Sequence, residues 1–155
     1  MTKLITREFL RANGACYTDA QIDALGPPEG LIPLQVAQLA IPAEDRVWVL
    51  TRKGALPDSM LWEWSARTVA RALSKVAKPD PRSLAVIPIL RRLASGEYVP
   101  LADLESASAA AWAAYSAEAW AAARAAAWAA DSAAARAAER DRQIADIIAI
   151  LEAQP

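Results

Sequence analysis

A chain of 155 residues carrying 17 lysines and arginines against 18 acidic residues has length for one core and no long-range field drawing it to nucleic acid or an anionic bilayer. It has no histidine, one cysteine and five scattered glycines. These counts exclude Ser/His/Asp and Cys/His triads, an imidazole or thiolate zinc site, an internal disulfide and the glycine-rich nucleotide loops.

No cofactor, structural metal or catalytic apparatus is therefore expected. The tight acidic groups, Glu44 with Asp45 and Asp103 with Glu105, are explained by helix first turns, where a carboxylate meets the positive end of the dipole. The first twelve residues carry Lys3, Arg7, Glu8 and Arg11 and no apolar stretch, so they do not read as a secretory signal. No window of about 18 residues is both uncharged and rich in Leu, Ile, Val or Phe, so no spanning helix and no membrane partner are expected. The lone Cys16 suits a reducing cytoplasm and reads as a small, semi-buried apolar residue.

Helix punctuation is frequent and strand signals are almost absent. Thr6 caps a helix through Ala12 that stops at Gly14, and Thr18 with Gln21 forms a capping box before a second helix ending at Gly26. After the turn at Pro27, Pro28 and Gly30, Pro33 opens a helix that continues through Leu34, Val36, Ala37 and Leu39 until Pro42 breaks it. A further short helix runs from Ala43 to Lys53 and stops at Gly54.

A better-defined helix starts at Asp58 or Ser59 and ends near Lys78, with Leu61, Trp64, Ala72, Leu73 and Val76 facing inward. Its other side carries Glu63, Arg67, Arg71 and Lys75 at successive i+4 steps, one attractive pair followed by a short basic row. Asp80 and Pro81 start the next helix, through Leu84, Ile87, Leu90 and Leu93 to Gly96, and Pro88 should bend it by crowding the carbonyl of Leu84. Pro100 opens a last segment of very high helix propensity as far as Glu152.

This segment contains the one internal repeat, WAAYSAEA, WAAARAAA, WAADSAAA and a decayed RAAERDRQ, starting at Trp112. Eight residues overshoot two helical turns by about 80°, so Trp112, Trp120 and Trp128 spiral around the axis and no coiled-coil seam forms. On the wheel Trp120 flanks Trp112 and Trp128 lands toward the polar side. Two readings follow: Trp128 is an exposed aromatic anchor, or a hairpin near Asp131 and Ser132 returns it to the core.

The expected fold is all-α, with short N-terminal helices packed on a helical bundle and a long alanine-rich C-terminal helix or helical hairpin. A single domain is expected, comprising a short-helix region over 1–56, two central helices over 57–97 and the alanine-rich part over 100–153. Candidate partner-binding residues are Trp128, Trp120, Arg67, Arg71 and Lys75. For nucleic acid, Arg52 with Lys53, Arg67 with Arg71, and Arg91 with Arg92 form an alternative set, with Trp62 or Trp48 as stacking surfaces.

The segments T-R-E-F-L-R-A-N-G-A-C from Thr6, D-P-R-S-L-A-V-I from Asp80 and R-R-L-A-S-G-E from Arg91, together with the alanine-rich tail, resemble small helical proteins of phages and prophages. The last two segments also resemble bacterial putative immunity proteins. The resemblance implies a cytoplasmic accessory protein of phage or bacterial origin that acts by occupying another protein, as immunity proteins and counter-defence inhibitors do. A weak nucleic-acid binder and a self-associating helical module are the alternatives.

Overall fold

In a computed structural model the chain is all-α, and residues 4–116 and 133–153 are described. The array residues from Ala117 to Ser132, Trp120 and Trp128 among them, lie outside the described residues, as does the choice between one long helix and a hairpin. The chain divides into two compact units, Met1–Pro57 with Arg140–Pro155, and Asp58–Glu139.

The first unit opens with α1 (Arg7–Ala12), α2 (Asp19–Asp23), α3 (Pro33–Ala37) and α4 (Ala43–Leu50). Thr6 caps α1 by accepting from the Phe9 amide. The chain leaves α1 through a Schellman turn in which Gly14, at φ +76°, donates to the Arg11 carbonyl and Ala15 to that of Leu10. The Thr18–Gln21 capping box is complete at the start of α2, and Pro33 occupies the first turn of α3.

Three helices of this unit are shorter than the sequence predicts, α2 among them, which ends at Asp23 and closes with an i+3 bond from Leu25 to Ile22 before Gly26. After Ala37 the chain closes with i+3 bonds from Gln38 and Leu39, and Pro42 then forces Ile41 away from helical geometry. In α4 the Thr51 hydroxyl bonds the carbonyl of Val47 at 2.8 Å, and the Arg52 guanidinium takes that of Trp48 at 3.1 Å, so the helix ends at Leu50 and not at Lys53. Arg46 donates to the terminal carbonyl of α3 at Ala37, 2.9 Å away, tying α3 to the α4 it packs against.

Besides a parallel bridge between Lys53 and Leu56, this unit's connections pair through a short antiparallel bridge. Ile5 donates to Leu31 at 2.8 Å and accepts from it at 3.1 Å. Gly30, at φ +102°, brings the chain to it, and a Cβ there would lie 2.7 Å from the Ile5 carbonyl oxygen, so only glycine fits. The buried residues of this unit include Ile5, Val36, Val47, Leu50 and Leu56, together with Ile144, Ile147 and Ile150 on one face of α9 (Ala133–Glu152). The three-residue spacing of those isoleucines is what gives the last helix its apolar stripe.

The second unit contains α5 (Asp58–Ser74), α6 (Pro81–Leu84), α7 (Val86–Ala94) and α8 (Leu101–Ser116). α5 packs on α7, and α8 packs on α6 and α7. The inward face of α5 is centred on Ala66, with Leu61, Trp64 and Leu73 half-buried, whereas Ala72 and Val76 are exposed, contrary to the periodicity. For Val76 the cause is an early stop: the Ser74 hydroxyl bonds the Arg71 carbonyl, and Lys75 and Val76 close with i+3 bonds, so Val76 falls beyond the helix.

Asp80 caps α6 by accepting from the Arg82 amide, and Pro81 takes its first position. Pro88 does not merely bend the following helix. The chain breaks at Ala85, one turn earlier, so Pro88 falls within the first turn of α7, where its missing N–H would have had no intrahelical acceptor. At the other end Gly96, at φ +78°, and Glu97 form a second Schellman turn onto Leu93 and Arg92.

Candidate functional site

The four short helices of the first unit leave space between them because none is long enough to fill it with its own side chains. The result is a cavity of ≈ 240 Å³. Its apolar wall includes Leu10 of α1, Ile22 of α2, Val36 of α3 and Val49 of α4, joined by Leu25, Leu31, Leu39 and Ile41 from the connections. An apolar cavity of about 150 Å³ takes up a single aromatic ring, and drug-sized ligands need about 300–1,000 Å³. The site is sized for one side chain or a small molecule.

Polar groups border it in pairs. The Arg7 guanidinium bonds the Asp23 carboxylate, and the Tyr17 hydroxyl donates to Asp45 Oδ2 at 2.7 Å, spanning 28 residues of sequence. That hydrogen bond first, then burial and the charge of Asp45, raise the Tyr17 phenol above its ordinary value, so Tyr17 stays a donor. Beside the cavity Arg11 holds Asp19 with Nε at 3.0 Å and also bonds the Ala15 carbonyl, and this pairing lowers the Asp19 carboxyl. Trp48 is a further wall residue, and the Arg52 guanidinium sits 4.8 Å from its ring centroid.

Cys16 is exposed and lines this cavity, where the sequence suggested a semi-buried apolar residue. It directly follows the Gly14 turn, in the link between α1 and α2, and that link is surface chain.

The basic row is engaged in the second unit. Arg67 pairs with Glu63 at 2.8 Å, and Arg71 and Lys75 both reach Glu139, at 3.0 and 3.3 Å. Partial burial pushes the Glu139 carboxyl up, but hydrogen bonds from Arg71 and Lys75, with the attraction of their charges, outweigh it and hold the group below its ordinary value. Arg92 bonds Glu97 at 2.8 Å, while Arg91 and Lys53 are exposed. The nucleic-acid candidates are divided, with Arg52, Lys53 and Trp48 in the first unit and Trp62, Arg67, Arg71, Arg91 and Arg92 in the second.

Among the described residues no group of three or more histidine, cysteine or acidic side chains is arranged to hold a metal, and no helix is long and apolar enough to cross a membrane. Sequence reasoning passed over Tyr17 and assigned Asp45 only to a helix first turn. That assignment is correct as far as it goes, since Asp45 stands in the first turn of α4. No spacing rule connects it to a tyrosine before α2. No family model matches the chain, and comparison with curated proteins and with solved structures gives no match either.

Proposed function

We propose that this is a non-enzymatic binding protein of the bacterial cytoplasm that acts by occupying another protein, as an accessory factor or an inhibitor of the immunity or counter-defence kind. The α1–α4 cavity receives a side chain of that partner. One observation carries the reading: an apolar cavity of ≈ 240 Å³, open beside an exposed Cys16, is built from four separate short helices. Apolar space that a domain of this size leaves unfilled costs stability, and a partner's anchor side chain recovers that loss on binding. The engagement of Arg67, Arg71 and Lys75 with Glu63 and Glu139 favours this reading over a phosphate-binding surface on α5.

Filling the cavity from within tests it. Leu39→Trp should leave the fold intact and abolish capture of the partner by the full chain, whereas Leu84→Asp on the exposed part of α6 should leave capture unchanged. In the complex, alkylation of Cys16 by iodoacetamide should slow at least about tenfold, since a seated anchor restricts access. A partner that binds the Leu39→Trp protein as well as the native one, or a complex in which Cys16 reacts at its free rate, would refute the assignment.

A further inference from the structure

Charge along the cavity wall says more about what enters. Among the described residues three charged side chains line it, and Arg7 and Asp23 neutralise each other. Asp45 remains with a formal charge of −1, and its hydrogen-bond partner is the neutral hydroxyl of Tyr17. Asp45 stands half-buried in the first turn of α4, and among the described residues no cation neutralises it.

Arg46, the next residue, is committed elsewhere: one terminal nitrogen bonds the Ala37 carbonyl and the other lies 4.0 Å from Asp141. A wholly apolar anchor would drive water from Asp45 and leave its charge unpaired, an unfavourable exchange. A single positive head would instead be matched.

Resting on the reading of the cavity as a partner's anchor site, we propose that the anchor is a lysine side chain, its four-carbon stem against the apolar wall and its ammonium on Asp45. The stem of a lysine packs well on apolar surface while its head finds a counter-charge. Lysine fits better than arginine because Tyr17 already takes Oδ2. Arginine's planar fork achieves its full strength only with both oxygens of a carboxylate, whereas an ammonium is a compact point charge that one oxygen satisfies.

The test is a nuclear magnetic resonance titration of the full chain with n-hexylammonium, n-hexanol and hexanoate at low salt, read at the amides of Tyr17, Asp45 and Trp48. Hexylammonium should bind about tenfold more tightly than hexanol, with hexanoate weakest, since a charged hydrogen bond adds about that factor. Asp45→Asn still accepts from Tyr17, so it should fold, bind hexanol as before and lose the preference for the ammonium. Tyr17→Phe keeps the charge and should keep the preference.

The capped peptide Leu-Lys-Leu should shift the same amides, and its Nε-acetyllysine counterpart should bind about tenfold more weakly, a comparison that needs no variant. Equal binding of hexylammonium and hexanol overturns lysine selection and leaves the cavity's role as an anchor site intact. Failure of hexanol and hexylammonium alike removes both. A preference that survives Asp45→Asn overturns the placement of the charge. Binding of the free amine without the peptide overturns the partner's lysine in favour of a small-molecule amine.

Discussion

The two units of this chain are stabilised differently. Among the described residues, every buried apolar side chain except Ala66 and Val99 belongs to the first unit, where helices of five to eight residues are tied together by caps, a Schellman turn and two backbone bridges. The second unit has the longer helices, yet along α5 most side chains are only half-buried, and its outer side is closed by the Arg71–Glu139–Lys75 cluster. Short elements must be held by their surroundings, because an isolated helix of that length does not persist in water. A longer helix tolerates a thinner interface and a more polar one.

Truncation should separate the units most sharply. Leu50 and Ile147 are fully buried in the first, and replacing either by alanine should cost about 2–5 kcal/mol in denaturant unfolding. The half-buried Leu73 of α5 should cost only about 1 kcal/mol by the same measurement, scaled to the smaller area it covers. Equal losses would show that burial is shared evenly between the two units. Next in size is Gly30→Ala, which imposes a side chain at φ +102° and against the Ile5 carbonyl. A loss of about 2 kcal/mol is expected, with the cavity distorted as the Ile5–Leu31 bridge parts.

In the second unit acid should act through Glu139. Glu139 has a folded-state pKa below its unfolded value, so its contribution is present above the ordinary carboxylate range and is lost as pH falls through the lowered folded value. Glu139→Gln should remove that acid-side dependence and cost about 1 kcal/mol at neutral pH, for a cluster part-shielded from solvent. Leu50→Ala should leave the acid-side slope unchanged, which distinguishes this effect from a general loss of stability. Tyr17 marks the opposite limb in the first unit: its raised phenol contributes below the ordinary tyrosine range, and that contribution is lost as pH rises through the higher folded value. Tyr17→Phe should flatten the alkaline arm of the stability profile and leave the acid arm alone.

Local chemistry was the legible part of the sequence. Thr6, the Thr18–Gln21 pair, Pro33, Asp80 with Pro81, and the stops at Gly14 and Gly96 each act within about four residues, and each appears where the residue type demands it. The helix ends that were missed belong to side chains with two options. Thr51 and Ser74 could have remained helical, and they stop the helix because their hydroxyls bond carbonyls three and four residues back. The candidate site was harder still to read. Its wall is assembled from apolar residues in four helices and their links, and its two polar contacts join Arg7 to Asp23 and Tyr17 to Asp45 across 16 and 28 residues of sequence. The basic row was visible as a row, but its neutralising partner Glu139 is 64 residues from Lys75 and sits in the decayed copy of the repeat.

The smallest effect belongs to the cap of α2. Thr18→Ala removes one half of the capping box, leaving the Gln21 amide without the threonine hydroxyl it donates to at 3.3 Å. That acceptor is long and exposed, so water replaces it in part, and a loss of about 0.5–1 kcal/mol is expected. With five residues, α2 has too few internal bonds to spread this loss along its length, and the change should appear as faster hydrogen exchange at the amides of Gln21 and Ile22 with little change in global unfolding. Tyr17 is the residue before the cap, so the same opening loosens its bond to Asp45 and should raise the alkylation rate of the adjacent Cys16 in the free protein. Exchange that quickens uniformly across α1–α4 instead, or a Cys16 rate indifferent to the cap, would mean that the cavity lip moves with the whole unit and not with α2.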